Sequence, residues 1–80
     1  MHELAVAMGI VERVAEATLG RRVCRVTVEI GDRVCISHDA LRFSFGLAAE
    51  GTPADGADLE IRTVNGDALN VRSLEVEEPA

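Results

Sequence analysis

The stretch Val23-Cys24-Arg25-Val26-Thr27-Val28-Glu29-Ile30-Gly31 decides the fold. Its centre alternates strictly. Cys24, Val26, Val28 and Ile30 point one way, and Arg25, Thr27 and Glu29 the other, as in a strand with one buried face. Cys24 is expected on the apolar face, as core and not as a ligand. Gly31-Asp32 ends the strand, and an irregular link through Arg33, Val34 and Cys35 follows.

Upstream, residues 3–19 carry the helical period. Leu4, Ala7, Met8, Val11, Val14, Ala15 and Thr18 recur at three- and four-residue spacing, with Val6, Ile10 and Ala17 widening the stripe. Glu12, Arg13 and Glu16 fall opposite. Gly9, costly inside a helix, points to close packing there. Gly20 supplies the stop. Downstream, Ser37 reads as the N-cap of a second helix with Asp39 in its first turn. Leu41, Phe45 and Ala48 form its stripe, broadened by Phe43 and Leu47, and Gly51-Thr52-Pro53 ends it.

After a turn-rich link at 54–57, residues 58–64 read as a strand with Leu59 and Ile61 inward. Asn65-Gly66 signals a hairpin into a last strand from about Leu69 to Glu77. That strand changes phase between Leu69/Val71 and Leu74/Val76, which a β-bulge near Arg72-Ser73 reconciles. The order is therefore α-β-α-β-β. An α+β fold is predicted, with two helices packed on one face of a small mixed three-stranded sheet. The first two strands are parallel through a helical crossover, and the last two form an antiparallel hairpin. Residues 1–80 make a single domain.

Fourteen acidic against eight basic residues give a net charge of −6. With two Phe and neither Tyr nor Trp, the chain offers no clustered basic patch or stacking platform for nucleic acid. No run approaches the ~20 apolar residues of a membrane span, and no signal peptide is visible, so a cytoplasmic protein is expected. Cys24 and Cys35 form no C-x-x-C pair and are read as buried, reduced thiols. No catalytic set or phosphate-binding glycine loop is present, so an enzyme is not expected.

The start of the chain, Met1-His2-Glu3, carries the one chemical signal. The α-amine of Met1, the backbone nitrogen of His2 and its near ring nitrogen can close five- and six-membered chelate rings on one ion. Planar nitrogen donors suit Ni(II) or Cu(II), whereas zinc takes a tetrahedron. Amides in a first helical turn lack intrahelical acceptors, so a metal can displace their protons without breaking the helix. The positive end of the helix dipole opposes a cation there, an effect that Glu3 and each deprotonated amide reduce. The alternative is an exposed terminal His2 with no such role. His38, at the start of the second helix, reads as a solvated surface residue in preference to a second ligand.

Several segments in order carry a family resemblance: Met1-His2-Glu3, Ile10-Val11-Glu12, Glu29-Ile30-Gly31, Ala40-Leu41-Arg42-Phe43-Ser44-Phe45, the glycine- and alanine-spaced run from Gly51 to Leu59-Glu60-Ile61, and Ser73-Leu74-Glu75-Val76-Glu77. Together they make the chain similar to the HypA/HybF family of hydrogenase nickel-incorporation proteins. The resemblance implies Ni(II) bound at Met1, His2 and Glu3, with His2 the decisive ligand. It also implies delivery to a [NiFe]-hydrogenase large-subunit precursor, alongside a GTPase of the HypB type. The family's inserted zinc-binding domain, with two C-x-x-C knuckles, is missing between the last two strands. A zinc-less form without structural zinc is therefore expected. A non-metal interaction module for hydrogenase assembly is the alternative.

Overall fold

The computed structural model describes residues 2–77. Helix α1 runs Glu3–Thr18, β1 Val23–Gly31, α2 His38–Ala48, β2 Asp58–Val64 and β3 Leu69–Val76. Both helices pack on one face of a mixed sheet whose order is β2-β1-β3. The α+β class and the α-β-α-β-β order are those read from the sequence.

β1 is central because its apolar side is the most completely buried part of the chain. Val26, Val28 and Ile30 pack with Ala7, Ile10, Val11 and Val14 of α1 and with Leu41 and Phe45 of α2. It pairs in parallel with β2, Val28 opposite Ile61, and antiparallel with β3, Val28 opposite Val71. As edge strands, β2 and β3 keep their inward residues only half-buried. The far face is polar. Arg25 faces Glu60 at 3.9 Å, and Arg72 donates to Glu29 at 2.6 Å.

The expected hairpin is not formed. β2 and β3 flank β1, so the 65–68 link has to cross the end of β1 and cannot fold β3 back against β2. The crossing is tied down by hydrogen bonds. Gly31 N–H donates to the Ala68 carbonyl (2.8 Å), Arg33 N–H to that of Gly66 (2.9 Å), and Gly66 N–H to Asp32 Oδ1 (3.0 Å). Gly66 does take a positive φ of 111°. Gly31 is needed for a different reason. A Cβ there would run into the Gly66 backbone.

Five other expectations are corrected. Cys24 is exposed, because β1 bulges between Val23↔Val76 and Arg25↔Glu75. The extra residue turns Cys24 outward and gives its core place to Val23. Cys35, in the irregular link, is exposed as well, and both thiols are free. The core stripe of α1 is narrower and turned toward Ile10, leaving Leu4 and Met8 half exposed. On α2, Phe43 is 70% exposed and Leu47 50%, so neither broadens the buried face. Gly9 is not closely packed; a Cβ there would meet nothing within 4 Å. The bulge expected near Arg72-Ser73 is present, since Thr27 pairs with Ser73 and Val28 with Val71, leaving Arg72 as the extra residue.

Candidate metal site at the start of the first helix

α1 begins at Glu3, with His2 at the N-cap. His2 is not a usual capping residue, and its side chain makes no cap hydrogen bond. Its carbonyl accepts from the Val6 N–H at 3.1 Å, so its backbone already belongs to the helix while the imidazole stands exposed. Met1, the third member of the sequence-predicted set, lies outside the described residues.

Glu3 is held by the other helix. Its Oε2 accepts the Ser37 N–H at 3.0 Å, across 34 positions of sequence. Ser37 is the N-cap of α2, as its position predicts, and its Oγ accepts from the Ala40 N–H at 3.2 Å. The Glu3 carboxylate thus brings the starts of α1 and α2 to one corner, where each helix contributes about half a positive charge. The Ser37 N–H above all, then the N–H of Glu3 itself and the nearby His2, hold the Glu3 carboxyl below its ordinary range. It stays an anion at neutral pH and offsets the positive corner.

Whether such a corner fits a cation is decided by its donors. Among the described residues, no three His, Cys, Asp or Glu side chains converge closely enough to hold a metal. A site at His2 would therefore draw on backbone nitrogen, and the opening amides of α1 are the ones without intrahelical acceptors. The free imidazole and the fixed anion beside it suit that donor set. His38 opens α2 half-buried, and among the described residues no metal-binding partner set surrounds it. The Glu3–Ser37 bond was missed in the sequence. Ser37 was legible as a cap, but nothing local to either residue signals a bond between two helix starts.

A comparison with known families matches residues 1–76 to the family described as hydrogenase/urease nickel incorporation, metallochaperone, hypA. The chain belongs to that family. Its curated relatives include hydrogenase maturation factors HypA from Rippkaea orientalis, 44% identical over 82% of this chain, and from Chloroflexus aurantiacus, 45% identical over 80%. The chain spans 58% and 59% of their respective lengths. The fold is also that of the Ni metallochaperone HypA from Helicobacter pylori, known from a solution structure. The two superimpose with a TM-score of 0.73 at 18% identity, covering 95% of this chain and 97% of that one. No helix among the described residues is long and apolar enough to cross a membrane.

Proposed function

We propose that this chain is a cytoplasmic nickel metallochaperone, a single nickel-binding-type domain that carries Ni(II) at its amino terminus for [NiFe]-hydrogenase maturation. The ion is cargo. Its donors are the Met1 amine, the His2 backbone nitrogen and the near ring nitrogen of His2. Glu3 supplies negative charge and holds the terminus against α2. The receiving protein is a hydrogenase large-subunit precursor, with a GTPase of the HypB type as partner. No catalysis and no structural zinc enter this role.

The observation that carries it is the coincidence of a family match beginning at residue 1 with an exposed His2 that has no capping duty. The selectivity of delivery has to come from supply and partners, because Cu(II) binds such nitrogen donors more tightly than Ni(II). Calorimetric titration with Ni(II), wild type against His2→Ala, is the test. Saturable binding abolished by the substitution supports the carrier. Weak binding that the substitution leaves unchanged favours a non-metal assembly module instead.

A further inference from the structure

β3 is an edge strand, and α1 overhangs it along a groove of about 760 Å³. Three consecutive residues, Leu69, Asn70 and Val71, line this groove. Neighbouring strand residues point to opposite faces, so a cavity that touches all three lies along the outer edge of the strand. There, alternate N–H and C=O groups have no strand to pair with. The opposite wall is one stripe of α1: Val6, Gly9, Ile10 and Arg13, at three- and four-residue spacing. Gly9 keeps the groove open, since the space where its side chain would stand is empty.

Charge says what this edge would accept. All eight basic residues of the chain are arginines. Arg25, Arg42, Arg62 and Arg72 are in ion pairs, and Arg22 donates to the Asp55 carbonyl. Among the described residues Arg13, Arg21 and Arg33 have no ion-pair partner within 4 Å, and of these Arg13 and Arg33 line the groove, brought there from α1 and the β1–α2 link. Asp67 is the one acid in the lining, which leaves the groove net positive in a chain of net charge −6. Guanidinium groups are the side chains best shaped to take a carboxylate.

We infer that the groove is a strand-addition site for an extended segment of a partner protein in which acidic and apolar residues alternate. The segment pairs its backbone with the outer edge of β3. Its apolar side chains enter between Ile10 and Val71, and its carboxylates meet Arg13 and Arg33. Neither His2 nor Glu3 lines the groove, and the pairing needs no nickel.

Metal-free protein can be titrated with capped heptapeptides alternating Glu with Val, Leu, Ile or Phe, followed by two-dimensional NMR. At least one should bind saturably below about 1 mM and shift the amides of Leu69–Val71. Arg13→Glu with Arg33→Glu should weaken it at least about tenfold, as should methylating alternate peptide nitrogens in the register that faces β3. Gly9→Leu should block the groove while leaving the fold intact, because a Cβ there meets nothing within 4 Å, the rest of the side chain extends into the open groove, and Leu is the better helix former. Phe43→Ser, on the exposed side of α2, should change nothing. Failure of all four peptides to bind overturns the proposal. So does binding that survives Gly9→Leu, persists with methylated peptides in both registers, or leaves the amides of Leu69–Val71 unshifted.

Discussion

Glu3 shows how one side chain can serve both fold and site. Its carboxylate spans from the first turn of α1 to the Ser37 N–H. Glu3→Ala is expected to expose that amide, and hydrogen exchange at Ser37 should speed up while exchange at core amides such as Val28 stays slow. The pH dependence follows from the lowered pKa. A carboxyl depressed in the folded state contributes its full stabilisation above its unfolded value, about 4.3, and loses it as pH falls through the lower folded value. Ser37 protection should therefore hold at neutral pH and disappear only in acid, below the ordinary carboxylate range. In Glu3→Gln it should be weaker at neutral pH, with that acid step gone. The candidate site was legible in the sequence as a donor pattern, because the relevant atoms are contiguous along the chain. Its anchoring was not legible, because the tie between Glu3 and Ser37 exists only once both helices are packed.

Among the elements, β1 was the most legible, and its position explains what was misread. Alternation identified a half-buried strand, but it carries no information about which neighbours flank it. Asn65-Gly66 has the composition of a two-residue hairpin, and the chain uses the same glycine to cross over the end of β1 instead. The clue was Gly31, whose role as a strand end hid its second role as the gap through which that crossing passes. Gly31→Ala should cost at least about 1–3 kcal/mol, the range for forcing atoms into a filled site. Thermal denaturation measures it. A Gly31→Ala protein as stable as the wild type would mean that the crossing is not packed as described. Cys24 was misplaced for a similar reason. A bulge shifts parity by one, and no residue near Cys24 announces it. The bulge at Arg72 was legible because the apolar residues on either side of it change phase.

At the scale of the whole molecule, stability rests on one small core shared by β1 and the two helices. Leu41→Ala, at a fully buried position, should cost about 2–5 kcal/mol. Phe43→Ser, two residues away and 70% exposed, should stay within about 0.5 kcal/mol. Urea denaturation distinguishes the two, and equal effects would contradict the assignment of faces on α2. If the fold needs no metal, excess chelator should leave both the circular dichroism spectrum and the melting temperature unchanged; a chelator-induced loss of helix would reveal a structural ion. Nickel carriage places a sharper demand on the molecule, because the Met1 amine belongs to the proposed chelate only while it is terminal. The decisive measurement is Ni(II) titration of the protein, followed by calorimetry and visible absorption, with and without one extra residue before Met1. The native protein should bind with release of more than one proton, lose affinity steeply from about pH 8 to 6, and show the absorption of a planar nickel site. The extended protein should lose that absorption and most of its affinity, and equal tight binding by both forms would contradict a site at the amino terminus.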